Sequence, residues 1–552
     1  MFFIHVYCCK RDLEQAAALH PHSECHHISA QCVRKAICKL KANKNDGNSG
    51  MCTDHVIHGT GKLVTLMSLL FDSMVRHACV PADFALSTLI PIPKNKRKSL
   101  NASDNYRAIA LSNIFGKVLD HALLMNCSEV FSTSSYQFGF KAKHSTSMCT
   151  FVVNETIEYF LQKGSNVYCT LLDASKAFDR VEYGRLFRSL ISKGICPVVC
   201  RFLILLYTTQ KIRVKWRNTL SANSSVLNGV KQGGVMSPIL FSVYLDDLLC
   251  RLRQNHAGCY IENVFFGAFA YADDLVILAP TLQSLNNMLN TCERYASEYN
   301  VMFNAQKSKL IVRSRDPNYV PVVNVSFMSD FIEAVPHDKH LGNMFGNVSQ
   351  NELVANLIND FQRRVNMIKH HFKYLPSHIM YHIFKTYCMP LYGIQLLDLD
   401  SNVISRFYVA WRKAIRYSLN LPWRTHSNLL HLICDDLPID FQLYKRFLKF
   451  ARSLYLSQNE IVSAAFQLAL EGSGSPTGNS ISKIADVMNV NRQDVFTSNF
   501  NFGEAYDCSS DELSVALAIK DILHMRYNQY FGCPTFYNSN ECNMILQHLC
   551  TE

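Results

Sequence analysis

No stretch of this chain strings together the roughly 18 continuous apolar residues that a membrane-spanning helix requires. The short apolar run at residues 1–9 has no basic segment before it, and Lys10 and Arg11 follow it, which makes a poor signal peptide. No internal repeat and no long low-complexity tract interrupts the 552 residues. Charged residues are only 18% against 48% apolar, which excludes a disordered tail, a collagen-like repeat and a polar linker. The 21 cysteines are scattered among apolar neighbours, without a repeated C-x-x-C pair at finger spacing. Buried free thiols in a reducing compartment are the simplest reading, and the chain reads as soluble and intracellular. What the chain does have is a modest basic excess, 55 Lys and Arg against 44 Asp and Glu, a net charge of +11. That suits a polyanionic partner without demanding one.

The length suggests about three to four domains. Residues 1–60 read as a polar, partly disordered extension. His20, His22, His26 and His27 crowd around Cys25 and Cys32, but at spacings that fit no familiar metal template, so a solvated loop is the plainer reading. From Gly61 on, Leu63, Leu66, Met67, Leu70, Phe71 and Met74 recur at helical spacing and predict one apolar stripe. A strand over 87–92, a helix through Ile114 to Leu123, a buried strand over 167–172, two strands within 265–279 and a helix through Leu282 to Ala296 follow. This alternation predicts an α+β domain with a covered sheet. Beyond about residue 350 the pattern is mainly helical, and a Gly/Ser/Pro-rich stretch at 471–480 suggests a boundary before a helical tail.

Two acidic sites stand out. Asp173 ends the apolar run Val167-Tyr168-Cys169-Thr170-Leu171-Leu172, so a charge lies at the edge of a buried strand. A hundred residues later, Asp273 and Asp274 fall between the runs Phe269 to Ala272 and Leu275 to Leu278, as a hairpin tip would place them. An Asp-Asp pair is often just a solvated turn; continuous apolar flanks argue otherwise. Brought together, three carboxylates repel, and a divalent cation resolves the repulsion. Mg²⁺ prefers oxygen ligands, and two such ions about 4 Å apart serve phosphoryl transfer. Between the two sites lies Lys231-Gln232-Gly233-Gly234-Val235-Met236-Ser237-Pro238, where Ser237 is expected to cap a helix opened by Pro238.

The segment Lys211-Ile212-Arg213-Val214-Lys215-Trp216-Arg217 alternates cation and apolar residue. As a strand it gathers Lys211, Arg213, Lys215 and Arg217 on one face, either a plain solvated surface or a track for a phosphate backbone. Arg406, Arg412, Lys413 and Arg416 offer a second basic stripe on a helix.

These pieces, in this order, resemble the reverse transcriptase region of non-LTR (LINE-type) retrotransposons, particularly the jockey-like group. The resemblance rests on Leu89-Ile90-Pro91-Ile92-Pro93-Lys94, Asn105-Tyr106-Arg107-Ala108-Ile109-Ala110-Leu111, Gln137-Phe138-Gly139-Phe140 and His144-Ser145-Thr146. It continues through Leu172-Asp173-Ala174-Ser175-Lys176-Ala177-Phe178-Asp179, the Lys231 to Pro238 loop, Tyr271-Ala272-Asp273-Asp274, Asn304-Ala305-Gln306-Lys307-Ser308-Lys309 and His340-Leu341-Gly342. Similarity is strong over roughly 35–345 and weaker to about 460, where Tyr392-Gly393 and Trp411-Arg412-Lys413 fall at family positions.

The resemblance implies a right-hand polymerase with fingers and palm over 61–345, a helical thumb over 346–465 and a helical tail over 466–552. It implies that Asp173, Asp273 and Asp274 are catalytic and hold two Mg²⁺ ions, with Mn²⁺ as a substitute. Lys94 and Arg107 would meet the incoming triphosphate, Gln232 and Gly233 would line the nucleotide pocket, and Lys307 would protonate the leaving pyrophosphate. Phe178, five residues after Asp173, would exclude a 2′-hydroxyl. Lys211, Arg213, Lys215, Leu341 and Gly342 would contact primer and template. The partners implied are an RNA template, a DNA primer and dNTPs, with no membrane. Full-length elements of this type carry an endonuclease ahead of the polymerase, and too few residues precede the first polymerase block to hold one, so a 5′-truncated copy is expected. Cys533, Cys542, His548 and Cys550 only loosely resemble a zinc knuckle. The rival expectations are a catalytically inactive RNA-binding remnant and an unrelated two-metal nuclease.

Overall fold

The computed structural model describes residues 27–46, 50–316, 325–372, 374–472, 474–496 and 516. The histidines and cysteine at 20–26 and the Cys/His group at 533–550 lie outside them. The chain divides into two compact units. The first takes its described residues from Met1–His144, Val167–Leu310 and Val320–Ala334; the second takes them from Ser145–Asn166, Ile311–Tyr319 and Val335–Glu552. Among the described residues no helix is long and apolar enough to cross a membrane. The cysteines described are free thiols, most of them buried, as the apolar surroundings predict.

The first unit is built on two sheets. The larger has six strands in the order Val325–Phe327, Asp330–Ala334, Lys309–Arg313, Val167–Leu172, Asp274–Ala279, Ala268–Tyr271. Its central strands are buried along nearly their whole length, Leu275 to Ala279 without exception, which is why they read as continuous apolar runs. Helices Ser237–Gln254 and Leu282–Tyr299 cover it. Their buried tyrosines keep their hydroxyls paired: Tyr244 donates to the carbonyl of Tyr299, and Tyr295 to that of Tyr244.

The second sheet orders Tyr106–Ser112, Leu86–Pro93, Lys211–Trp216 and Thr219–Leu220, with Ser224–Ser225 also pairing Lys211–Trp216. Leu86 to Leu89 pair in parallel with Lys211 to Val214, and the pairing stops there. Pro91 and Pro93 have no N–H to continue the ladder on that side.

Two local expectations need correction. Helix Gly61–Arg76 buries Val64, Met67, Ser68, Phe71, Met74 and Val75, whereas Leu66 and Leu70 are 63% and 45% exposed. The buried arc is set by the helices it meets, Ala30–Ile37 and Pro197–Thr208, and is rotated from the stripe read along the sequence. Ser237 does not cap its helix. Met236 occupies that position, and Ser237 is buried one residue inside, where its side chain bonds with Tyr207.

The second unit is mainly helical, with helices Thr146–Gln162, Gln350–Phe372, Ser377–Tyr387, Ser405–Leu419, Ile439–Tyr455, Glu460–Glu471 and Pro476–Met488, and a hairpin of His337–His340 with Asn343–Gly346. The last helix is capped by Ser475, which accepts from the Gly478 amide. Glu155 on helix Thr146–Gln162 is 4% exposed and shares side-chain hydrogen bonds with Ser475 and Thr477. Burial pushes its carboxyl up to about 7. The folded state therefore holds this proton more tightly than the unfolded chain does, so stability is fullest below the ordinary glutamate range and is lost as pH rises through about 7. A shift of that size corresponds to on the order of 3 kcal/mol. Glu155→Gln, which keeps the shape without the charge, should raise the thermal midpoint at pH 8 and leave it nearly unchanged at pH 4. An equal shift at both pH values would refute this.

Candidate active site

The strands Ala268–Tyr271 and Asp274–Ala279 pair with Asp274 opposite Tyr271, so Ala272 and Asp273 form the two-residue tip. Ala272 adopts φ 59°, a left-handed conformation that favours glycine. On the other side of Asp274–Ala279, Leu275 pairs with Leu172. The ladder ends there, so Asp173 directly follows the last paired residue of one strand and Asp274 directly precedes that of the other, close enough for the Asp173 charge to act on both Asp273 and Asp274. Two acidic sites a hundred residues apart in the chain thus meet at one end of one sheet.

Asp173 is held from behind. Its N–H donates to the buried Ser308 hydroxyl at 3.1 Å, and its carbonyl accepts from the Asn304 amide at 2.9 Å. Ser175 Oγ lies 3.3 Å from its carboxylate, and the Lys307 ammonium 3.9 Å from it. Loss of surrounding water pushes Asp274 up to about 6, with the charges of Asp273 and Asp173 adding to the rise. Asp273 is raised by the same desolvation and by Asp173, against an opposing pull from Arg107. The cluster holds more negative charge than its surroundings comfortably accommodate.

Phe178 lies in the short 3₁₀ turn Ala177–Arg180. Its ring stacks on Phe241 at 4.8 Å and 16°, and the ring of Phe140 meets it edge-on at 6.4 Å. The Gly-rich loop is lashed to this turn. Gly229 N–H donates to Val181, Val230 N–H to Phe178, and the Tyr183 hydroxyl to Gly229. Further on, the Gln232 carbonyl accepts from Ala110 N–H at 2.7 Å. Gly233 has φ +104°, and a Cβ there would lie 2.9 Å from the Ala110 carbonyl oxygen, so only glycine fits this approach. Lys231, half-buried in the loop, has its pKa lowered by desolvation, and the charge of Asp120 opposes that shift.

The strand pairings also place the cations. Thr88 faces Arg213 and Ile92 faces Arg107, so Arg107, Arg213 and Lys215 share one face of the smaller sheet. Arg213 is half-buried and donates to Thr88 Oγ1 at 3.2 Å. Arg217 lies beyond the strand end at φ 53°, so it does not extend the predicted stripe. The opposite face is not a core, since Trp216 is 50% exposed and packs on Tyr106. Exposed Lys94 donates from its ammonium to the Asp104 carbonyl at 3.0 Å.

In the second unit, Leu341 and Gly342 form the tip of the His337–His340 hairpin, with φ values of 46° and 80°. The Tyr392 hydroxyl donates to the Leu341 carbonyl at 2.7 Å and lies 2.8 Å from Thr146 Oγ1. On helix Ser405–Leu419, Arg416 turns inward to the Thr425 carbonyl and the Ser427 hydroxyl, leaving the predicted basic stripe.

A family model described as "Reverse transcriptase (RNA-dependent DNA polymerase)" matches residues 92–375. The chain belongs to the reverse transcriptase family. Its α+β architecture is that of the right-hand polymerases. It is similar to the RNA-directed DNA polymerase from mobile element jockey of Drosophila funebris, 24% identical over 63% of this chain and 37% of the relative. It is also similar to a Pol polyprotein from a type-1 R2 retrotransposable element of Nasonia vitripennis, 26% identical over 41% of this chain and 22% of the relative. The chain therefore spans well under half the length of these curated relatives. A telomerase structure from Candida albicans is similar at 12% identity, covering 72% of this chain and 68% of that one, with a TM-score of 0.30.

Reverse transcriptases are divalent-metal dependent, and the residues here fit a hard cation. Asp173, Asp273 and Asp274 offer oxygen donors whose mutual repulsion a cation would relieve. Among the described residues no three His, Cys, Asp or Glu side chains converge into a preformed metal cluster.

Some residues of this reverse transcriptase site were not legible as such. Gln137 sat inside a recognisable motif without a role. Asp120 had nothing in its local sequence to mark it, because its partner Lys231 lies 111 residues away.

Proposed function

We propose that this chain performs RNA-templated DNA synthesis, extending a DNA primer with dNTPs. The observation that carries the proposal is the meeting of Asp173 with the Asp273–Asp274 tip on adjacent strands. Two Mg²⁺ ions, or Mn²⁺ in their place, would when bound there activate the attacking oxygen and stabilise the leaving one. Asp173 and Asp273 would be their direct protein ligands, with Asp274 a weaker partner.

The chain's own residues supply the rest. Arg107 grips phosphate oxygens in two-pronged fashion and Lys94 as a point charge, exchanging its present carbonyl partner for a triphosphate oxygen. The Phe178 ring forms the wall under the sugar, and Gln232 and Gly233 line the nucleotide pocket. A bond forms between the primer 3′-oxygen and the α-phosphorus, the α–β phosphoanhydride breaks, and Lys307 gives a proton to the departing pyrophosphate. Residues 61–345 would form the fingers and palm and residues 346–465 the thumb, with Leu341 and Gly342 at the primer. The free thiols suit a reducing, intracellular setting.

Extension of oligo-dT on poly-rA with Mg²⁺ tests the reading. Lengthened primer supports it. Shortened primer would point to a nuclease, and binding without extension to an inactive remnant. Because Lys211, Arg213 and Lys215 would meet phosphates, template affinity should fall with salt, by on the order of 40-fold between 50 and 200 mM for these three contacts. A flat salt dependence would remove phosphate contact from the proposal.

A further inference from the structure

We propose that Gln137 is a positioning residue that holds the Ala272–Asp273 turn in its working shape. The proposal rests on the reading above that Asp273 serves phosphoryl transfer. The tip of the hairpin is an awkward piece of backbone. Ala272 is buried and left-handed, so its peptide groups need partners and its conformation needs support. Gln137, fully buried, provides both. Its Oε1 accepts from Ala272 N–H at 3.0 Å, and its Nε2 lies 3.5 Å from the Ala272 carbonyl oxygen. The same Oε1 accepts from Gly139 N–H at 2.8 Å, which sets the orientation of the side-chain amide.

The segment that carries Gln137 is itself anchored. Phe138 N–H donates to Ala270 and Ala270 N–H donates to Tyr136, so residues 136–138 run as an added parallel edge beside strand Ala268–Tyr271. Gly139 completes the cradle: a Cβ there would lie 2.2 Å from Ala272 nitrogen, so only glycine lets the segment close against the turn. Gln137 bonds Ala272 and not the carboxylates, so its effect passes through the turn's backbone to Asp273. This gives the Gln137-Phe138-Gly139 motif a physical purpose: it fixes the peptide immediately before a candidate metal ligand.

Gln137→Leu keeps the bulk and removes both bonds to the turn. It should lower kcat for primer extension by about 100-fold with the dNTP KM within about twofold, as displacement of a reacting group does. Mn²⁺ binding to the protein without nucleic acid, read by electron paramagnetic resonance of the free ion, should weaken by about tenfold. Adding Ala272→Gly, which takes a positive φ without strain, should restore part of both losses. A folded Gln137→Leu protein with parental kcat and parental Mn²⁺ affinity overturns the proposal. Should that variant not fold, Gly139→Ala presses on the same turn and must produce the same paired loss; no change there overturns the proposal equally. If the parent binds Mn²⁺ but extends no primer, the polymerase reading fails while the Mn²⁺ comparison still decides the role of Gln137. A parent that binds no Mn²⁺ overturns both.

Discussion

Asp273→Asn should lower primer extension by at least about 1,000-fold while leaving the protein folded. Asparagine has the shape of aspartate, so the hairpin tip keeps its packing, but the charge that would hold a cation is gone. Asp173→Asn should do the same from the neighbouring strand. Asp274→Asn should cost less, because Asp274 is the exposed first residue of its strand and would be the weaker partner. The electrostatics supply a second readout. Desolvation and like charge raise the Asp274 carboxyl to about 6, so the folded state carries the unfavourable charge in full only above that pH. Without added metal, Asp274→Asn should therefore raise the thermal midpoint at pH 8 and raise it by only about half as much at pH 5, since the penalty builds up between the ordinary aspartate range and about 6. Activity lost together with a raised midpoint is the signature of a site strained for function. Activity retained in Asp273→Asn would remove the tip from the chemistry.

Phe178→Ala should relax sugar discrimination, lowering the ratio of kcat/KM for dNTP over rNTP by on the order of 100-fold. Rigidity matters here as much as bulk. A free phenyl ring would swing aside for a 2′-hydroxyl at little cost. This ring is stacked on Phe241, flanked by Phe140, and set on a turn whose Phe178 and Val181 carbonyls accept from the Gly229–Val230 backbone. Moving it would disturb all of these, so the clash with a ribose stays unrelieved. Phe178→Tyr, which keeps the ring, should retain most of the discrimination. The plain core-aromatic alternative makes a different prediction: loss of stability with the sugar ratio unchanged. Steady-state kinetics with each nucleotide, alongside thermal unfolding, separates the two.

Much of the fold was readable because it depends on local patterning. The run from Val167 to Leu172 is a strand at those residues, ended by Asp173, because six consecutive residues suited to burial between layers leave few alternatives. The helix behind the hairpin, Leu282–Tyr299, followed from apolar spacing, with Thr281 capping it through its side chain. Features that depend on a distant partner were not readable. Leu66 and Leu70 fit a helical stripe as well as Met67 and Phe71 do, and only the neighbouring helices decide which side is covered. Ser237-Pro238 has the look of a cap and first turn, yet burial next to Tyr207 moves the serine inside. Arg416 and Arg217 were counted with their neighbours as surface cations, but a carbonyl elsewhere claims one and a turn diverts the other.

By itself the sequence singled out the residues proposed to carry the chemistry: the acidic groups at Asp173, Asp273 and Asp274, the Gly-rich loop between them, and the apolar strands that present them. Those follow from side-chain type and from periods of two and about 3.6 residues, which any short window contains. The tertiary structure alone decided that Asp173 lies beside the Asp273–Asp274 tip, that Gln137 grips the turn at Ala272, and that Tyr392 holds the Leu341 tip. Each is a pairing across tens to hundreds of residues, and pairing at that distance is settled by strand register and packing, which no local window records.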